Sequence, residues 1–179
     1  MKKISEPNKF QCKIRECPKT CSQVFPSNRH IITVSEKDNK GKTAMLCILI
    51  DMMKTTSCFH HIADRKRNSN AKDKTCIFQL KGTDKKVGIT TTGDMCYCLA
   101  EEFAWMQEYN CDLYICASHL SGGTLDWLMA RTKNGYLLRL GKATVENLQG
   151  QVPNVAIITE QAINMWQAEK LFEIIISLL

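Results

Sequence analysis

Residues 31–43 read IITVSEKDNKGKT, and the apolar stretch AMLCILIDMM follows directly at 44–53. The first five residues are typical of a short buried strand, and Leu46, Leu49 and Met53 have the spacing of one buried helix face. The chain therefore passes from a strand, through a turn that contains Gly-Lys-Thr, into a helix. This order of elements predicts a phosphate-binding loop, because backbone N–H groups at the start of a helix point at an anion.

The predicted cradle for the phosphate consists of six consecutive residues, Asn39, Lys40, Gly41, Lys42, Thr43 and Ala44. Lys42 can reach the β- and γ-phosphates of a nucleotide, and the hydroxyl of Thr43 can ligate Mg²⁺. The full pattern GxxxxGK[ST] begins with a glycine, and this chain has Glu36 in that place. A carboxylate there lacks the conformational freedom of glycine and repels phosphate unless it points away. The alternative is a surface turn that binds no ligand.

Short apolar runs alternate with helical patterns along the rest of the chain. Strands are predicted at 76–80, 87–90, 112–117, 136–140 and 155–159, and helices at 95–109, 125–131 and 160–179. The polar segment 64–74 is predicted to be a loop. Strands that alternate with helices favour an α/β layered fold, in which helices flank a largely parallel central sheet.

Two further turns follow predicted strands and combine polar residues with glycine. They read TTGD at 91–94 and SHLSGGT at 118–124. Ligands of open α/β sheets bind beyond the carboxyl ends of the strands, so these turns and the phosphate loop together define the predicted site. His119 lies in the later turn, where a general base or a phosphate contact is useful. A polar loop histidine without such a role is the alternative.

In these features the sequence resembles the P-loop nucleoside triphosphatase and kinase superfamily. A strand, a Gly-Lys-Thr turn, a helix and a later strand that ends near an acid occur in the expected order over roughly residues 31–118. The resemblance implies that Asp94 holds the Mg²⁺ shell or orients a water, together with Thr43. Asp94 follows its apolar run by four residues, so it can equally be the N-cap of the next helix. Asp112 is the competing acid, but it begins its strand and is expected at the opposite edge of the sheet.

These residues predict a nucleotide-binding protein that uses Mg²⁺ with ATP or GTP. Lys42, Asp94 and His119 are the predicted catalytic residues, with Thr43 and Asp94 as the metal ligands. The sequence does not indicate a phosphoryl acceptor. Three alternatives therefore stay open: hydrolysis by an ATPase or GTPase, phosphoryl transfer by a small kinase, and binding without turnover.

The length of 179 residues suits one compact domain with an appendage. We expect a basic, cysteine-containing N-terminal arm at 1–30 and a P-loop-like α/β domain at 31–179. No apolar run has the length of a membrane span, and the first residues lack the apolar segment of a signal peptide. The expectation is a cytoplasmic protein without membrane contact.

The net charge of +6 is concentrated in two tracts. Residues 1–30 carry seven basic and two acidic groups, and residues 64–86 carry eight basic and three acidic groups. Such tracts suit a partner that bears phosphate, so the alternative function is a nucleic-acid or protein interaction module without catalysis. Solvated segments without a partner account for the same composition.

The ten cysteines are expected to be reduced, because several lie inside apolar runs, where a free cysteine behaves as a small hydrophobe. Cys12, Cys17 and Cys21, with His30 downstream, form a hypothetical zinc set. The gaps between these ligands are four, three and eight residues, and the last is longer than the three to five residues that separate the second ligand pair of common zinc fingers.

Overall fold

The computed structural model describes residues 30–37, 41–66, 73–132, 136–143 and 159–179. Its elements are β1 (His30–Ser35), α1 (Lys42–Thr55), β2 (Phe59–Lys66), β3 (Lys74–Leu80), β4 (Lys86–Thr90), α2 (Cys96–Glu108), β5 (Leu113–Ser118), α3 (Gly123–Arg131), β6 (Tyr136–Gly141) and α4 (Glu160–Leu178). The predicted α/β class is confirmed. The predicted strand at 155–159 and the N-terminal arm, apart from His30, fall almost wholly outside the described ranges.

The strands form one sheet in the order β2-β3-β4-β5-β1-β6. Strands β4, β5, β1 and β6 are parallel neighbours, whereas β3 runs antiparallel to β2 and β4. The expectation of a largely parallel sheet is therefore right for four strands, and the sheet as a whole is mixed. Parallel neighbours need a crossover of about a dozen residues or more, and the short segment 81–85 between β3 and β4 allows only a hairpin.

Strand β2 occupies a segment in which no strand was predicted, and it overlaps the predicted loop 64–74. Its sequence, FHHIADRK, is polar and lacks apolar alternation, and only Phe59 is buried. An edge strand needs one partner and few apolar residues, so pairing with β3 decides its conformation. The register shifts between His61 and Ala63, which marks a β-bulge.

The sheet separates two apolar layers. Helices α1 and α4 cover one face, where Leu46, Leu49 and Met53 are fully buried as the helix pattern predicts. Helices α2 and α3 cover the other face through Phe103 and Leu128. Burying one side chain of this size stabilises the fold by about 1.5–3 kcal/mol, so both layers together fix the positions of the strand ends.

The seven cysteines in the described ranges are all free thiols, as expected for reduced residues. Burial raises the pKa of Cys76 to about 11 and that of Cys116 to about 12. His30, a member of the hypothetical zinc set, stacks on Tyr136 with 5.3 Å between ring centroids. The three cysteines of that set lie outside the described ranges, so the zinc hypothesis stays untested.

Among the described helices, none combines the length and the apolar character that crossing a lipid bilayer requires.

Stability at alkaline pH tests the burial of Cys116. The folded protein keeps this thiol protonated up to a pKa of about 12, whereas a cysteine in an unfolded chain ionises near pH 8.5. The unfolded state therefore binds fewer protons in this interval, and the free energy of unfolding falls as the pH rises. Between pH 8 and pH 10, the free energy of unfolding measured in urea should fall less in Cys116→Ala than in the wild type. We expect the difference to be about 2 kcal/mol.

The exposed Cys58 supplies the control, since Cys58→Ala is expected to keep the pH dependence of the wild type. Equal pH dependence in Cys116→Ala and the wild type would contradict the assignment.

Candidate functional site at the carboxyl ends of the parallel strands

The loops that follow β1, β4 and β5 lie at one edge of the sheet, because these strands are parallel neighbours. Ser35 at the end of β1 is paired in register with Ser118 at the end of β5. Their hydroxyl oxygens are 2.7 Å apart and fully buried, so a hydrogen bond links the two strand ends. The helices that follow these two strands, α1 and α3, pack on opposite faces of the sheet. In open α/β sheets, ligands bind at this position, between the first turns of helices that pack on opposite faces.

Gly41 and Lys42 form the start of α1. Gly41 is the N-cap with φ of +81°, a left-handed conformation that glycine adopts without strain. No side chain caps the helix, and its first turn contains no acidic residue. The positive end of the helix dipole is therefore not neutralised from within α1.

The side chain of Lys42 folds back over the loop that precedes it. Lys42 is only 7% exposed, and its Nζ donates to the backbone carbonyls of Glu36 and Lys37, each at 2.9 Å. These contacts satisfy two of the three ammonium donors and hold the loop around the amine. They supply partial negative charge but no carboxylate.

Glu36 occupies the place of the first glycine in the phosphate-loop pattern. Its Oε1 accepts a hydrogen bond from the backbone N–H of Lys37 at 2.8 Å, and its own N–H donates to the carbonyl of Ser118 at 3.4 Å. The carboxylate thus engages a loop N–H of the kind that a phosphate uses. Of the other predicted cradle residues, Thr43 and Ala44 lie in the first turn of α1, while Asn39 and Lys40 lie outside the described ranges.

Asp94 and His119 come together from two different loops. His119 Nε2 lies 3.7 Å from Asp94 Oδ1, so the two form an ion pair when the imidazole is protonated. The side chain of Asp94 is 78% exposed, and that of His119 is 28% exposed. The alternative of Asp94 as a helix cap is wrong, because Met95 is the N-cap of α2.

The loop after β4 lies directly on the end of β5. A Cβ atom on Gly93 would be 2.3 Å from the carbonyl oxygen of Ala117, a distance that no side chain tolerates. Glycine is therefore required for this loop to approach the backbone of β5. The contact brings Asp94 to the loop that carries His119.

Two buried hydroxyls at the same edge of the sheet have no hydrogen-bond partner among the described residues. They are Thr92 Oγ1, in the loop after β4, and Thr124 Oγ1, in the first turn of α3. A buried hydroxyl without a partner is energetically costly, so each is a group that a ligand or water can satisfy. Both threonines lie in the turns 91–94 and 118–124 that the sequence predicts as part of the site, although the sequence assigned neither of them a role.

Lys142 and Asn164 are the principal residues that sequence reasoning missed. A Cβ atom on Gly41 would be 3.3 Å from Asn164 Oδ1 and 3.7 Å from Lys142 Cε. Lys142 follows β6, and its backbone N–H donates to the carbonyl of Ser35 at 3.0 Å. Its position two residues after the predicted strand 136–140 was a usable signal for Lys142. Asn164 lies inside a regular helix pattern and gave no signal.

Lys42 and Lys142 are the two buried lysines of the described chain, and both lie beside Gly41. Neither forms an ion pair with a carboxylate of the described residues. Burial lowers the pKa of Lys142, and the charges of Glu160 and Glu36 act in the opposite direction. Lysine is almost never fully buried unless it is paired. Two such groups at a helix N-terminus therefore favour an anion at this edge of the sheet.

The basic tract 64–86 is partly neutralised by ion pairs. Arg65 contacts the buried Glu102 at 3.2 Å, and Lys74 and Lys85 pair with aspartates at 3.2 and 3.3 Å. The partner of Lys85 is Asp112, which precedes β5 and so lies at the amino edge, as predicted. These pairs reduce the positive charge that this tract offers to a nucleic acid.

A second group of potential metal ligands lies on the β2–β3 pair. Ligand atoms of His61, Asp64 and Cys76 lie within 4.8 Å of one another, because the β-bulge turns His61 and Asp64 to the same face. The ammonium of Lys54 lies 3.2 Å from the Asp64 carboxylate, and burial raises the pKa of Cys76 to about 11. Both features oppose cation binding, so this group is a poor metal site.

Comparisons of the chain with protein-family models, with curated proteins and with solved structures each found no match. The assignment of the site therefore depends on its residues and geometry.

Replacement of Gly93 by alanine tests the contact between the loop after β4 and β5. The added Cβ atom would collide with backbone of Ala117, which cannot move without breaking the sheet. We expect Gly93→Ala to lower the free energy of unfolding by about 1–3 kcal/mol in urea titrations.

Gly123→Ala is the matched control, since its added Cβ atom would meet only Cys96 Sγ at 3.5 Å, an ordinary contact. Equal stability of the two variants would show that the Gly93 loop does not lie on β5.

Proposed function

We propose that this chain binds a nucleoside triphosphate, ATP or GTP, through the loop that joins β1 to α1. The buried amine of Lys42 carries the proposal, because it lies at an uncapped helix N-terminus and, among the described residues, has loop carbonyls as its partners. With a nucleotide bound, the amine would donate to a β- or γ-phosphate in place of these carbonyls. The same phosphate would accept hydrogen bonds from the backbone N–H groups of the first turn. The P-loop resemblance of the sequence agrees with this assignment.

Mg²⁺ is proposed to bind with the nucleotide. In this arrangement the Thr43 hydroxyl, in the first turn of α1, ligates the ion beside the phosphates. Asp94 is the proposed carboxylate of the outer shell, since it lies at the same edge of the sheet and its side chain is accessible. Mg²⁺ keeps several waters in such sites, so an indirect contact through water is sufficient for Asp94.

Turnover of the nucleotide is a separate proposal and requires a group that orients the attacking oxygen. His119 is the proposed base, and the Asp94 carboxylate, 3.7 Å from its Nε2, would pair with the imidazolium that forms when His119 accepts the proton. An attacking water makes the protein an NTPase, and an acceptor hydroxyl makes it a kinase. Glu36 opposes tight binding of the nucleotide, because its carboxylate accepts a hydrogen bond from the loop N–H of Lys37 and adds negative charge.

The interaction-module alternative rests on the basic tracts, and the described residues favour it less. Three of the cations in 64–86 are paired with carboxylates, which lowers their attraction for phosphate backbones. The other tract, 1–30, lies almost wholly outside the described ranges. Nucleic-acid binding would fall steeply with salt and survive the loss of Lys42.

Thermal unfolding with millimolar ATP or GTP, with and without Mg²⁺, tests the proposal. A ligand at 100 times its Kd that binds only the folded state stabilises it by about 2.7 kcal/mol, which is a rise of several degrees in Tm. We expect this rise in the wild type, with dependence on Mg²⁺, and its loss in Lys42→Met.

Lys170→Met is the control, because Lys170 is exposed on α4 and pairs with Glu173 of the same helix. It should keep the rise of the wild type. Unchanged melting of the wild type with every nucleotide would reject the proposal.

A further inference from the structure

We propose that Lys142 and Asn164 form a second wall of the same site, in which Lys142 binds the phosphate chain and Asn164 binds the nucleoside part of the ligand. The inference rests on the proposed function and deepens it, because it assigns the two parts of a nucleotide to two further residues. It also predicts that the protein distinguishes a nucleotide from an inorganic polyphosphate.

The position of Lys142 follows from the sheet. Strand β6 pairs in parallel with β1, so that Gly141 lies opposite Ser35. The hydrogen bond from Lys142 N–H to the Ser35 carbonyl extends this pairing by one residue. Lys142 therefore lies where the phosphate loop leaves β1, and its Cε is close to Gly41. Its side chain thus lies beside the N-cap of α1.

Lys142 is buried without a carboxylate in ion-pair contact among the described residues. The residue is 1% exposed, and its Nζ donates to the neighbouring carbonyl of Ala143. Desolvation lowers the pKa of the ammonium, which is the sign of a cation held at a cost. A purely structural role would be served better by an apolar side chain of the same length. A bound polyphosphate would supply the missing negative charge, shared between Lys142 and Lys42.

Asn164 is suited to bind a different part of the ligand from the part that Lys142 binds. It is 6% exposed, and its Oδ1 has no hydrogen-bond partner among the described residues, although it lies against Gly41. A carbonyl oxygen accepts hydrogen bonds, and ionised phosphate oxygens offer none. The hydroxyls of ribose and the amino group of a base do offer them. We therefore assign the unpartnered Oδ1 of Asn164 to the nucleoside part and Lys142 to the phosphates. The amide Nδ2 of Asn164 is a donor, and its use by a phosphate would show as weaker tripolyphosphate binding in an Asn164 variant.

Calorimetric titration of the full chain with Mg-ATP, Mg-GTP and inorganic tripolyphosphate separates the two roles. We expect Lys142→Met to weaken binding of the nucleotide and of tripolyphosphate by at least about tenfold, which is typical for loss of a charged hydrogen bond. Asn164→Leu should weaken nucleotide binding by about tenfold and leave tripolyphosphate binding unchanged. The controls are Lys170→Met and Gln161→Leu, which alter exposed residues of α4, the helix that contains Asn164.

The stability of the free protein gives a second readout for Lys142. Lys142→Met removes a desolvated charge and keeps the length of the side chain, so its Tm without ligand should equal or exceed that of the wild type. Weaker binding together with undiminished stability identifies a ligand-binding residue. A lower Tm in the free variant would assign Lys142 a structural role and overturn its part of the proposal.

The outcomes also separate this inference from the proposed function. If the wild type binds a nucleotide and Lys42→Met abolishes binding, but Lys142→Met keeps the wild-type Kd, the second wall is wrong and the nucleotide site stands. If Asn164→Leu affects tripolyphosphate as much as ATP, or affects neither, its assignment to the nucleoside is wrong. If the wild type binds no nucleotide, both proposals fail together.

Discussion

The parallel pairing of β1 with β5 on one side and β6 on the other is the constraint on which the site depends. It places Ser35, Ser118 and Gly141 side by side, so three loops leave the sheet at one point. The buried hydrogen bond between the two serine hydroxyls ties the central pair of strand ends together. Packing of helices on both faces then aims the first turns of α1 and α3 at this point from opposite sides. The chemistry of the site follows from this geometry.

The electrostatic character of the strand ends is unusual for a folded interior. Stability alone favours apolar residues at buried positions, yet Lys42 and Lys142 are buried there with backbone carbonyls as their partners. Proteins retain such costly groups where they act on a ligand. The nearby carboxylates, Glu36 and Glu160, influence Lys142 without forming an ion pair with it.

Much of this architecture was predictable from local patterns. The apolar runs located all described strands except β2, and the Gly-Lys-Thr turn located the start of α1 within a residue. Strand order and the reversal of β3 were not predictable, because they depend on which strands pair across the sheet. The same limit applies to the site. Position after a predicted strand was the signal that indicated Lys42, Asp94 and His119. Asn164 had no such signal, since only the packing of α4 against α1 brings it to Gly41.

The bulge in β2 affects how the protein behaves in solution. An outermost strand offers unpaired backbone groups to other chains, and a regular apolar one invites association between sheets. Strand β2 interrupts its own register between His61 and Ala63 and carries His, Asp, Arg and Lys side chains along its length. Another strand cannot extend the ladder here without meeting both the irregular backbone and the charges. Within the described residues β2 is the outermost strand, and its bulge and charges disfavour pairing with the strand of another chain.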